Sequence, residues 1–121
     1  ISLGLVGSEM CIRDRLLPTI TEFSIDHAKN RYADCSRAGN FAAPEDNDDI
    51  ACEKLIKGLY KINNDFDVPS MKKFGINEKN FEENLENMAT DAEVSGAPNL
   101  NPRVPTVNEM VDLYGKAWRA F

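Results

Sequence analysis

A chain of 121 residues, 42% hydrophobic and 28% charged, is long enough for one domain with a modest core and is neither disordered nor fibrous in composition. Its formal charge of −6 opposes binding to polyanions, which calls for clustered Lys and Arg, so nucleic acid is not an expected partner. Three cysteines (Cys11, Cys35 and Cys52) without a CxxC fit a reducing compartment, and no apolar run approaches the roughly 18–20 residues of a membrane helix, so the expectation is a cytoplasmic protein with no membrane association.

The chain opens with "ISLGLVGSEMCIRDR", residues 1–15, which differs in texture from everything after it. Strand-like alternation is nearly confined to its first seven residues. The "GLVG" at Gly4 to Gly7 lacks the third glycine of GxGxxG and the Lys-Ser/Thr ending of a P-loop, and no amphipathic helix follows, so it is a poor phosphate cradle. It is no secretion signal either, having no basic start and a short apolar run that Glu9 interrupts.

Leu16 to Phe23, "LLPTITEF", is a short apolar piece with a proline expected inside its first turn, where proline is tolerated. From about Asp26, Ala28, Tyr32, Cys35 and Ala38 fall on one helix face, and Gly39 stops that helix. The acidic "PEDNDD", Pro44 to Asp49, is a solvated loop and helix start. Asp46 or Asn47 caps a second helix with the stripe Cys52, Leu55, Ile56, Leu59 and Ile62. A break at Val68-Pro69 leads to a single turn closed by Gly75. Asn77 caps a third helix, with Phe81, Leu85, Met88, Ala89 and Ala92 on its apolar side. After a loop from Ser95 to Pro105, Thr106 and Glu109 form a capping box that opens a last helix carrying Met110, Leu113, Tyr114, Ala117 and Trp118. There is no internal repeat. The fold class is all-α, an arrangement like a helical bundle.

Little in this pattern carries chemistry. His27 is the only histidine, so no HxxxH or HExxH pair exists; it is either a lone ligand or base, or a helix-start residue near Asp26. Counted as a calcium loop from Asp46, "EDNDD" has no glycine at the sixth position and places Lys57 where a bidentate acid is required, so that reading fails. The informative stretch is "SGAPNLNPRVPT". Pro98, Pro102 and Pro105 give it a stiff extended path, which either docks the last helix as a rigid connector or edges a cleft made with another part of the protein.

At this loop the chain resembles a known family. "SGAPNLNPRVPTVNEMVDLYGKAW", residues 95–118, is similar to the end of the iron-containing (group III) alcohol dehydrogenases, with their NPR-x-x-T loop and "LY..AW". "LLPTITEFS", Leu16 to Ser24, resembles their LLP-x-V-x-x-F-N segment. "RYAD", "VPSMKKFGI" and "FEENLENMATDA" fall between in the family's order, so the resemblance covers residues 16–119. The S-G-x-P before NPR looks like the lactaldehyde reductase and propanediol dehydrogenase branch.

The resemblance implies that residues 16–121 are the C-terminal part of an all-helical metal-binding domain. Its N-terminal dinucleotide-binding domain is then a missing partner, and the parent is a homo-oligomer acting on a small alcohol or aldehyde. In the parent, Fe(2+) held by one aspartate and three histidines would polarise the alcohol oxygen while hydride passes to or from NAD(P). The family's last metal histidine lies in an H-G-x-x-N-A segment before LLP; here that position is Glu9 and the glycine position is Met10, so no ligand carries over. No catalytic, cofactor-binding or metal residue is therefore assigned, and neither iron nor NAD(P) is expected on this chain alone, which is expected to be inactive. Ala97 and Pro98 correspond to a family region bordering the substrate pocket. "SLGLVGSEMCIRD" is itself similar to a translated sequencing adapter, which makes residues 1–15 a non-native segment. The rival expectation is a free-standing acidic helical protein-interaction module, which would need a self-sufficient core.

Overall fold

The computed structural model describes the backbone of residues 3–120 and the side chains of residues 13–120. The side chain of Cys11 and those around "GLVG" lie outside the described residues. Five α-helices follow one another: α1 (Leu3–Ser24), α2 (Lys29–Ala38), α3 (Asp48–Asp65), α4 (Glu78–Ser95) and α5 (Val107–Arg119), with short 3-10 turns at Ile25–His27 and Ala97–Leu100. The fold is all-α, and no strand occurs among the described residues. The strand-like alternation at the front of the sequence is thus helical from Leu3 onward.

α2 and α3 pack against each other, α4 and α5 form a second pair, and α1 touches both α3 and α5. Small side chains set the first contact. Ala33, Ser36 and Ala51 are completely buried, letting the two helices approach around Ile25, Ala42 and Cys52. Aromatics fill the second pair, where the rings of Phe81 and Trp118 stack with centroids 4.5 Å apart, beside Met71 and Ala117.

Three helix starts are capped as their sequences dictate. The Asn47 side chain accepts from the Ile50 N–H, the Asn77 side chain from the Asn80 N–H, and Thr106 and Glu109 close a reciprocal capping box. Gly39 follows the end of α2 as expected, but with an ordinary negative φ; the left-handed residue is the next one, Asn40. α2 itself begins three residues later than its apolar pattern implies, because Ile25–His27 forms a 3-10 turn first.

The largest departure is Pro18. The sequence places it in the first turn of a short helix, whereas it lies deep inside α1 and is fully buried. A proline there has no N–H for the carbonyl four residues back, that of Asp14. The structure supplies a substitute donor: the Asn63 amide of α3 reaches the Asp14 carbonyl at 2.8 Å. Asn63 is itself buried, and its own carbonyl accepts the Val68 N–H at 2.9 Å, closing the turn after α3. Arg15, also buried, donates through Nε to the Pro69 carbonyl at 3.0 Å. α1, the end of α3 and the Val68-Pro69 break are therefore tied together by main-chain groups that local sequence leaves without helical partners.

The acidic stretch Pro44 to Asp49 is more than a solvated loop. Asp46 accepts from the Ala43 N–H at 2.8 Å and pairs with Lys54 at 2.6 Å, while Arg37 reaches the Asp46 carbonyl and the Asp48 carboxylate. The hydrogen bond from Lys54, then that from Ala43, holds the Asp46 carboxyl below its ordinary pKa. Elsewhere apolar surface stays open. Leu17, Ile62 and Phe66 are 50%, 40% and 77% exposed along a groove between α1 and the end of α3, so Ile62 leaves the buried stripe expected of it. No helix among the described residues is long and apolar enough to cross a membrane.

Candidate functional site

The loop after α4 begins with a conformational requirement. Gly96 takes φ 75°, the left-handed region where a side chain is strained, and this ends α4 and turns the chain back. Ala97–Leu100 then forms a 3-10 turn, so the proline-rich stretch is not extended throughout as its spacing implies; Asn101 is the first extended residue after that turn.

Two clamps hold this loop over α1. The Asn101 amide donates to the Ser24 hydroxyl and to the Arg103 carbonyl, each at 2.6 Å. Ser24 is completely buried, so the first bond is shielded from water. The Arg103 guanidinium lies 3.9 Å above the centre of the Phe23 ring and pairs with Glu109 at 2.7 Å, linking α1, the loop and the capping box of α5. The hydrogen bond from the Thr106 N–H, followed by Arg103, holds the Glu109 carboxyl below its ordinary pKa.

Beneath the clamped loop is a cavity of about 250 Å³. α1 contributes Leu16, Ile20 and Phe23, and α5 contributes Met110, Leu113 and Tyr114. Ala92 and the loop residues Ala97, Pro98, Asn101 and Pro105 complete it. Ala97 and Pro98 thus sit together on one wall, on the loop side. The sequence pattern places Met110, Leu113 and Tyr114 on the last helix but does not show that they border a space. Their signal was the apolar spacing on α5, matched by Leu16, Ile20 and Phe23 on α1. Tyr114 is half-buried, and burial pushes its phenol pKa up.

His27 is exposed in the 3-10 turn after α1, at a wider hollow of about 600 Å³ that also includes Arg31, Cys35 and Tyr32. Among the described residues no three His, Cys, Asp or Glu side chains converge to hold a metal ion. Cys52 is 4% exposed, its thiol donates to the Lys29 carbonyl at 3.3 Å, and burial raises its pKa, the opposite of an activated nucleophile.

No family model matches the chain, and no solved structure matches it. Among curated proteins it is similar to the bifunctional aldehyde-alcohol dehydrogenase AdhE of Escherichia coli, 26% identical over 94 residues, which are 77% of this chain and 10% of that protein. It is also similar to an alcohol dehydrogenase of Thermococcus barophilus, 27% identical over 104 residues, 84% of this chain and 25% of that protein. The chain thus spans a tenth to a quarter of the length of these relatives. Its distant homologues carry the name alcohol dehydrogenase over most of its length, which gives it a dehydrogenase-related origin.

Proposed function

We propose that residues 16–120 are part of the helical half of an iron-dependent, NAD(P)-linked alcohol dehydrogenase, and that the cavity beneath Ala97 and Pro98 borders its alcohol or aldehyde substrate. The observation that supports this most is the similarity to two proteins named alcohol dehydrogenase across 77% and 84% of the chain. The all-helical fold and the clamped, apolar cavity agree with it.

The residues present do not themselves fit the family's metal or dinucleotide. His27 stands alone and exposed, no cluster of three metal-ligating side chains occurs among the described residues, and no strand–glycine turn–helix unit is found there. No chemical step is therefore routed through iron or NAD(P) on this chain. In this reading another part of the enzyme supplies both, and these helices contribute one wall of the substrate space.

The test is genomic DNA from the source organism, read upstream of the Leu16 codon. An in-frame histidine-glycine segment of the H-G-x-x-N-A kind is expected, and the complete reading frame should then oxidise NAD(P)H with small aldehydes in the presence of ferrous iron. Genomic DNA that continues upstream through the codons of Ile1 to Arg15 without such a segment, together with no aldehyde reduction by the complete protein, would refute it.

A further inference from the structure

The loop after α4 has two sides, and they border different spaces. Ala97, Pro98 and Asn101 face the cavity already described, whereas Leu100 and Pro102 border the wider hollow of about 600 Å³ that His27 and the start of α2 complete. We infer that this second hollow binds a small carboxylate carried on an apolar body, of the arylacetate kind. The inference goes beyond the dehydrogenase reading and does not depend on it. The hollow shares no lining residue with the first, and its volume falls within the range of small-molecule sites. Its apolar part is held in position before any ligand arrives. Asn101, between Leu100 and Pro102, is fixed by its bonds to Ser24 and to the Arg103 carbonyl, yet Leu100 is 89% exposed. Half-buried Tyr32 supplies a ring from the α2 side.

The polar part of the lining is rich in donors. The chain has 20 acidic against 14 basic side chains, but no carboxylate lines this hollow and Arg31 does. The Arg31 guanidinium, which can only donate, has no hydrogen-bond or ion-pair partner among the described residues. Asp34, three residues further along α2, is held by Arg37 at 3.0 Å instead. The Asn30 side-chain oxygen already accepts the Arg31 backbone N–H at 3.0 Å, so what Asn30 offers a ligand is its amide N–H. An uncompensated cation beside further donors calls for an anionic acceptor, and a carboxylate matches the planar guanidinium with two parallel hydrogen bonds. A single guanidinium balances a single negative charge. Leu100, Pro102 and the Tyr32 ring then cover the apolar body behind the carboxylate. Because the hollow is open to water, the ion pair is screened, so the charge adds affinity of the size seen for exposed pairs.

The test uses the 121-residue chain carrying Cys11→Ser, in which exposed Cys35 reports from within the hollow and Cys52 is buried. Alkylation of Cys35 by iodoacetamide, which is uncharged and does not compete for Arg31, is followed by mass spectrometry during titration with phenylacetate, phenylacetamide and acetate. Phenylacetate should slow alkylation saturably. Phenylacetamide has the same body without the charge and should bind about fivefold more weakly, while acetate, the charge without the body, should show no saturation. Arg31→Gln should bring phenylacetate to the level of phenylacetamide, and Arg31→Lys should restore part of the difference. Leu100→Ala should weaken both ligands about threefold. Both side chains are exposed, so thermal melts should show each variant folded as wild type. Equal binding of phenylacetate and phenylacetamide, or phenylacetate binding unchanged by Arg31→Gln, overturns the carboxylate assignment. Inorganic phosphate that protects Cys35 as tightly as phenylacetate overturns the need for an apolar body. Absence of saturable protection by phenylacetate overturns the hollow as a binding site. None of these outcomes bears on the dehydrogenase reading, which the genomic test decides.

Discussion

Asn63 joins α3 to α1 only because of a proline, and that dependence can be measured. Its amide bonds the Asp14 carbonyl at 2.8 Å, the group that Pro18, having no N–H, leaves without its helical donor. Asn63→Leu keeps the branched shape and heavy-atom count of the side chain but removes this bond. The lost hydrogen bond is worth about 0.5–1.5 kcal/mol, with a further cost of up to about 1–3 kcal/mol if the carbonyl finds no water. Because Asp14 itself is exposed, water can partly reach it, so a total of about 1–2 kcal/mol is expected. For a domain of this size that lowers the melting temperature by roughly 4–8 °C. In a Pro18→Ala background the restored amide of residue 18 can return to the Asp14 carbonyl, and Asn63→Leu should then cost about 1 kcal/mol less. Wild type, both single variants and the double variant, unfolded thermally and in urea and followed by circular dichroism at 222 nm, give the coupling directly. Additivity within about 0.5 kcal/mol would refute the reasoning, since it would mean that Asn63 contributes by packing alone.

Two helical glycines should respond in opposite senses to alanine. A Cβ on Gly58 would lie 2.1 Å from the Phe41 ring, so Gly58→Ala should destabilise by about 1–2 kcal/mol and recover in a Phe41→Ala background, whereas one on Gly115 meets only the movable end of Arg119, so Gly115→Ala should stabilise by about 0.5–1 kcal/mol; thermal melts of the set read both signs. Thr106→Ala removes the hydroxyl half of the capping box and should cost about 1 kcal/mol in urea unfolding. The folded pKa of Glu109 lies below its ordinary value of 4.5, so its contribution to stability is complete above that value and is lost as pH falls through the lower folded value; Glu109→Gln, which keeps the box but not the charge, should flatten the fall in melting temperature below pH 4.5. In a Cys11→Ser background iodoacetamide should modify exposed Cys35 quickly and buried Cys52 only on unfolding, and equal rates from mass spectrometry would contradict the burial of Cys52.

What local sequence could show, it showed where both partners of an interaction lie within one turn. Asn47 and Ile50, Asn77 and Asn80, and Thr106 and Glu109 are each three residues apart, so a cap can be recognised without knowing the rest of the fold. Pro18 could not be placed that way. Local rules prefer proline in a first turn, and the donor that permits it in an interior is 49 residues away from Asp14. The loop after α4 was legible as rigid but not in shape, because the left-handed Gly96 and the 3-10 turn behind it are set by how α4 ends rather than by proline spacing. The stripes on α1 and α5 were visible as apolar faces, yet nothing in either says that a hollow separates part of one from the other beneath the loop, which the Ser24–Asn101 bond, between residues 77 positions apart, holds over α1.

That separation has an energetic consequence. At about 24 cal/mol per Å³, a closed and empty space of 250 Å³ would cost on the order of 6 kcal/mol, comparable with the whole stability of a small domain. Opening toward solvent reduces this, but the lining still offers water few partners. Leu16, Ile20, Leu113 and Met110 would recover much of the cost by closing on one another, and small movements of the loop would allow it. The Asn101 clamp on Ser24 and the Arg103 contacts to Phe23 and Glu109 resist that movement from the rim. Polar interactions worth about 0.5–2 kcal/mol each therefore oppose the closing of apolar surfaces that hydrophobic attraction favours.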